Sequence, residues 1–149
     1  FRADDWNRYV EVNKRFARTV VAESRSANPI VLVQDYHLAL LPKLVRDELP
    51  DATIITFWHI PWPNPEAFGI LPWREEVLAG LLGSSILGFH TRFHVNNFVD
   101  TVDRVLEARV DRETFAVTQW LGAALIVGAA FLVPTSTPTP EPATPPAPP

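Results

Sequence analysis

Cysteine is absent from the 149 residues. That excludes disulfides, a thiolate metal site and a cysteine nucleophile, and it leaves the redox compartment open. Positive charge is not in excess, since 13 Lys and Arg stand against 17 Asp and Glu for a net charge of -4. A nucleic-acid backbone would find no broad basic field here, so nucleic acid is not an expected partner. Glycine is scarce, and none of Gly69, Gly80, Gly83, Gly88, Gly122 and Gly128 builds a phosphate-cradling loop between a strand and a helix. No nucleotide fingerprint is present. The opening stretch is charged and amphipathic and lacks the apolar core of a signal peptide, so Phe1 reads as a cut and not as a natural start.

What is present divides into two unlike parts. From Phe1 to about Val117 charges are scattered among short apolar runs, as in a packed domain, and the chain is 47% hydrophobic. Between Glu113 and Glu141 there is no charge at all. That interval holds the apolar run Trp120 to Val133 and then a tail from Pro134 to Pro149 rich in Pro, Thr and Ala. Proline removes backbone donors and fixes φ, so residues 134–149 are expected to be extended, disordered and outside any core. As a helix, 120–133 would be about 21 Å long against about 30 Å of hydrocarbon, and extension back to Phe115 brings it to about 28 Å. Three readings of 118–133 stay open: a stretch not native to the domain, a membrane or surface stalk, or a buried segment. Any membrane association would run through this tail alone.

Periodicity over the first part predicts alternating helices and strands. Trp6, Tyr9, Val10, Asn13, Phe16, Ala17, Val20 and Val21 recur at three- and four-residue steps, forming one apolar stripe on a helix that ends before Asn28-Pro29. Ile30 to Gln34 suits a strand buried on both faces of a parallel sheet. A helix over Leu38 to Leu49, a strand over Thr53 to Trp58, an irregular proline-rich loop from His59 to Pro65, a helix opening at Pro72, a strand over Ser85 to Phe89 and a last helix from Phe93 to about Arg109 complete the order. The result is an α/β fold, a parallel sheet with helices on both faces.

In such sheets ligands bind beyond the carboxyl ends of the strands, which here carry Asp35-Tyr36-His37, His59-Ile60-Pro61 and His90-Thr91-Arg92. A carboxylate there can accept hydrogen bonds from sugar hydroxyls, and an imidazole can donate to a hydroxyl or to a developing negative charge. The plainer alternative is that Asp35 caps the helix that follows and His59 satisfies loop carbonyls. His90 and His94 have the spacing of helical metal ligands but no third partner, so no metal is expected. Glu75 and Glu76 diverge by about 100° on a helix and read as a first-turn charge pair. Phe57, Trp58, Trp62, Phe68 and Trp73 are either packing or sugar-stacking groups, Trp62 being the foremost candidate for stacking.

Five blocks in order, Val33 to Leu38, Phe57 to Pro63, Ile70 to Glu76, Gly80 to Gly83 and Leu87 to Thr91, resemble family 20 glycosyltransferases, the trehalose-6-phosphate synthase family. The resemblance covers about Phe1 to Val117. It implies the latter part of the Rossmann-like N-terminal domain of a two-domain GT-B enzyme, acting on a sugar phosphate acceptor and a nucleoside-diphosphate glucose donor. It further implies retention of configuration, no cofactor and a cytoplasmic location. Asp35 would contact glucose 6-phosphate with Tyr36 beside it, His59 would lie against the transferred glucose as the catalytic residue, and Ile60 would stand where anomer selectivity is attributed. The wording around Pro63 to Glu66 and Phe93 to Asn97 also resembles glucosylglycerol-phosphate synthases, which would make glycerol 3-phosphate the acceptor. A non-catalytic sugar-phosphate-binding module is the remaining class. The chain alone is expected to transfer no sugar, because it carries neither a phosphate cradle nor a second domain.

Overall fold

The computed structural model describes residues 1–107. The boundary expected at Val117, the apolar segment 118–133 and the tail 134–149 lie outside them.

The chain opens with α1 (Ala3–Glu23), whose first turn carries Asp4 and Asp5 at the positive end of the helix dipole. It stops five residues before Asn28 because Ser24 turns extended and closes the end, its N–H donating to the Val21 carbonyl and its Oγ to that of Val20. Strands β1 (Ile30–Gln34), β2 (Thr53–Trp58) and β3 (Ile86–Phe89) form a parallel sheet in the order β1-β2-β3. Between the first two lie a single 3-10 turn at Tyr36–Leu38 and α2 (Leu41–Glu48). This helix begins three residues later than its spacing predicts, since Pro42 is tolerated only within the first turn. The loop after β2 is irregular to Asn64, where Asn64 Oδ1 accepts from the Ala67 amide and Pro65 starts the short α3 (Pro65–Phe68). Helices α4 (Arg74–Leu81) and α5 (Arg92–Leu106) flank β3, and α5 is capped by Thr91 Oγ1 accepting from the His94 amide.

The expectation of helices on both faces is not met among the described residues. A strand order that rises one by one, joined by crossovers of a single hand, places every crossover on the same side of the sheet. Val31, Val33, Ile54, Thr56 and Trp58 point into that covered side and are buried. Ile30 and Leu32, expected to be buried as well, are 73% and 69% exposed on the other. β1 therefore alternates where a doubly covered strand would not. On the covered side one cluster joins α1, β1, α2 and β2 around Val45 and Ile54, and a second joins β2, α3, α4 and α5 around Trp58, Trp62 and Leu78. Helix α1 buries less than its stripe predicts: only Asn13 and Ala17 are fully covered, while Phe16 is half exposed.

Close backbone contact fixes the end of α4. A Cβ on Gly80 would stand 2.4 Å from the Ala39 carbonyl oxygen, and one on Gly83 2.4 Å from the Lys43 backbone. Any larger residue would push α4 away from residues 39–43, directly behind the loop that leaves β1.

Candidate functional site at the carboxyl edge of the sheet

The parallel register runs Gln34 against Phe57 and Trp58 against Phe89, so the residues that follow each strand emerge side by side. Asp35 continues the ladder, its N–H donating to the Phe57 carbonyl at 2.9 Å. It then breaks direction with φ 64 and ψ 178, a conformation that for any residue except glycine costs about 1–3 kcal/mol and persists only where its surroundings impose it. The Asp35 side chain does not cap its own turn. Instead its Oδ1 accepts from the His59 backbone N–H at 3.2 Å, tying the β1 loop to the β2 loop.

His59 is exposed, and its Nε2 lies 2.6 Å from Gln34 Oε1. An amide oxygen can only accept, so Nε2 carries the proton and Nδ1 is left to accept from a hydroxyl. The ring meets Phe57 edge-on at 4.7 Å and lies 5.6 Å from the His90 ring, with Phe57 also against His90 at 5.0 Å. His90 thus joins His59 in one cluster, a neighbour that spacing along the chain does not reveal but parallel register does. Tyr36 is 42% exposed and stacks on His37, and Ile60 is 41% exposed beside His59. Among the described residues no three His, Asp or Glu side chains converge as metal ligands.

Trp62 does not belong to this surface. It is 1% exposed, stacks on Phe68, meets Phe98 and Trp58 edge-on, and donates from Nε1 to Thr101 Oγ1 at 3.1 Å. Both faces and its one polar atom are engaged inside the core, so no face remains to stack on a sugar. The residue anchors the β2 loop, helped by Asn97 Nδ2 donating to its carbonyl at 3.2 Å.

The β1 loop is held differently. Tyr9 Oη donates to the Tyr36 carbonyl at 2.7 Å and accepts from the Ala39 amide at 3.0 Å. Burial raises the phenol's pKa above its ordinary 10.0, partly offset by the Ala39 amide that it accepts from and the neighbouring Asn13 side chain. Asn13, fully buried, donates from Nδ2 to the carbonyls of Tyr9 and His37 at 3.0 and 3.2 Å, while its Oδ1 accepts from the Leu40 amide at 3.2 Å. Neither role is visible in the sequence, where both residues count only as members of the α1 stripe.

Known proteins resemble this chain in both sequence and fold. The model of glycosyltransferase family 20 matches residues 1–131, and so runs into the apolar stretch that begins at Trp120. A trehalose-6-phosphate synthase of Mycobacterium sp. (strain KMS) is 44% identical over 117 residues, which are 78% of this chain and 24% of that protein. Among solved structures, the N-terminal domain of Candida albicans trehalose-6-phosphate phosphatase superposes with a TM-score of 0.71 at 34% identity, covering 78% of this chain and 25% of the other. A UDP-forming α,α-trehalose-phosphate synthase from Burkholderia xenovorans, solved with glucose 6-phosphate, gives 0.70 at 25% identity over 76% of this chain and 25% of the other. The chain belongs to glycosyltransferase family 20. It spans about a quarter of the length of the curated relatives it matches.

Proposed function

We propose that residues 1–107 form the acceptor-side corner of a retaining glucosyltransferase that moves glucose from a nucleoside-diphosphate glucose to glucose 6-phosphate, yielding trehalose 6-phosphate. The observation that carries this is the Asp35 carboxylate resting on the His59 amide at the edge where parallel sheets receive ligands, in a chain whose relatives are named for that activity. Asp35 offers acceptor capacity to sugar hydroxyls, with Tyr36 beside it. His59, oriented by Gln34, presents Nδ1 toward the transferred sugar, and Ile60 walls the same opening. Transfer also needs the donor and its departing diphosphate held in place, and no glycine-rich cradle for them exists in this sequence. The chain by itself therefore contributes a half-site.

A second reading has its own support, because a structure with closely similar topology is the N-terminal domain of a protein named as a phosphatase. On that reading the corner binds a sugar phosphate without transferring anything to it.

Steady-state kinetics separate the two in a protein that joins this segment to a nucleotide-binding half. With UDP-glucose or ADP-glucose as donor, and glucose 6-phosphate or glycerol 3-phosphate as acceptor, Asp35→Asn should raise the acceptor KM about tenfold. His59→Ala should lower kcat by about a hundredfold, the order expected for losing one preorganised contact to the reacting sugar. If both variants keep their kcat and KM, the assigned roles are wrong. Acceptor binding without nucleoside diphosphate release favours the second reading.

A further inference from the structure

The strained backbone at Asp35 requires something to impose it, and the loop's own hydrogen bonds do not suffice. Within residues 35–40 the backbone contributes one weak turn bond, from the Leu38 amide to the Asp35 carbonyl at 3.4 Å. Asp35 is tied to Phe57 and His59, and the Leu40 carbonyl accepts from the Leu44 amide; between these points the turn is held by α1. Tyr9 Oη takes the Ala39 amide and gives its proton to the Tyr36 carbonyl, while Asn13 takes the Leu40 amide and gives to the His37 carbonyl. Four backbone groups of the turn, at Tyr36, His37, Ala39 and Leu40, are thus paired by two side chains four residues apart on one helix face. Asn13 spends its second amide proton on the Tyr9 carbonyl, which fixes its rotamer relative to Tyr9. At the far side Gly80 brings α4 against Ala39, so the turn has no room to relax away from α1.

We infer that Tyr9 and Asn13 are positioning residues for Asp35: their hydrogen bonds hold the 35–40 turn so that Asp35 keeps its left-handed backbone and its carboxylate on the His59 amide. Neither side chain hydrogen-bonds Asp35 or His59 directly. Their effect passes through Tyr36, His37, Ala39 and Leu40 to Asp35, and from Asp35 Oδ1 to the β2 loop. The inference rests on the acceptor-corner reading for its functional meaning, but the coupling itself is a property of the chain.

The test uses the chain as it is, with isotope labelling. In the wild type the His59 amide proton shift should follow acid titration of the Asp35 carboxyl, because that carboxylate is its acceptor, and Asp35→Asn should abolish the response. Tyr9→Phe, which removes both phenol hydrogen bonds and keeps the ring, should abolish it too and speed amide exchange at Ala39 at least tenfold. Asn13→Ala should do the same at Leu40. Thr101→Val, placed under the other loop, should leave the His59 response intact. If Tyr9→Phe retains the response, the inference is overturned, whether or not Ala39 exchanges faster, and it stands or falls on this variant even if Asn13→Ala fails to fold. A parallel titration with glucose 6-phosphate addresses the functional reading separately. Shifts at Asp35 and Tyr36 that weaken at least tenfold in apparent affinity in Tyr9→Phe support both, equal affinity overturns the positioning role, and no shift in the wild type counts against the acceptor corner while leaving the His59 result to decide the coupling.

Discussion

The loops that leave β1 and β2 occupy equivalent places at the carboxyl edge of the sheet, yet they are held by opposite physics. The first displays Asp35, Tyr36 and His37 to solvent or near it and is kept in shape by directional hydrogen bonds from Tyr9 and Asn13. The second turns Trp62 inward until 1% of it is exposed and is kept in shape chiefly by that burial, with Thr101 and Asn97 of α5 bonded to the same residue. A loop held by several bonds of about 1 kcal/mol each can store strain at one residue and present polar groups in a fixed array. A loop held by one aromatic plug is part of the core. The β1 loop accordingly shows its polar groups at the edge of the sheet, and the β2 loop enters the core just beyond His59 and Ile60.

The largest effect expected from breaking this comparison comes from the plug. Trp62→Ala removes an indole packed among Trp58, Phe68 and Phe98 and leaves Thr101 Oγ1 without its donor. Losses of about 3–5 kcal/mol are usual for such a truncation, enough to consume most of a small domain's stability. Urea denaturation followed by far-UV circular dichroism should place the midpoint far below that of the wild type. A change under about 1 kcal/mol would mean that the β2 loop is not core-held after all.

The strands that carry the two loops are legible in the sequence, whereas what holds each loop is not, for physical reasons. Strand positions and the parallel order follow from short β-branched runs separated by helical spacing, and the three polar strand ends follow from them. Trp62 was misplaced because a tryptophan in a proline-rich loop has no period to show which way it faces. The second helical layer was wrongly expected because Ile30 and Leu32 are as apolar as buried strand residues, and hydropathy records the composition of a face without recording what covers it. Tyr9 and Asn13 escaped notice since their partners are backbone groups 24 to 30 residues away, and backbone acceptors leave no mark on the sequence.

A smaller effect sharpens the comparison from the side of the β1 loop. At an ordinary position alanine is more stabilising than glycine by about 0.4–1 kcal/mol, because glycine loses more chain entropy on folding. At Asp35, with φ 64, the order should reverse. Asp35→Ala keeps the strain and loses the carboxylate, whereas Asp35→Gly loses the carboxylate and releases the strain, so Asp35→Gly should be the more stable of the two by about 1–2 kcal/mol. On the proposed acceptor role of Asp35, both should weaken glucose 6-phosphate binding alike. Paired chemical denaturation curves suffice to measure this, and an alanine variant as stable as the glycine one would show that the loop is not strained.

The smallest effect separates the two loops by pH. Burial holds the Tyr9 phenol's pKa above the 10.0 it has in the unfolded chain, so the unfolded chain gives up that proton first. The stabilisation is therefore complete below pH 10.0 and is lost as pH rises through the folded value, since over that interval the native state binds more protons than the unfolded one. The bonds of Trp62 to Thr101 and of Asn97 to Trp62 involve an indole, a hydroxyl and amides, none of which titrates there. Unfolding free energies of the wild type, Tyr9→Phe and Thr101→Val, measured at several points from pH 8 to pH 11, should then diverge in slope alone. Thr101→Val should run parallel to the wild type throughout, displaced downward. Tyr9→Phe should fall less steeply above the phenol's unfolded value, by at most about 1.4 kcal/mol per pH unit, the limit for one proton. Parallel lines for Tyr9→Phe and the wild type would mean that the phenol ionises alike in both states, and that the brace under the β1 loop is open to water.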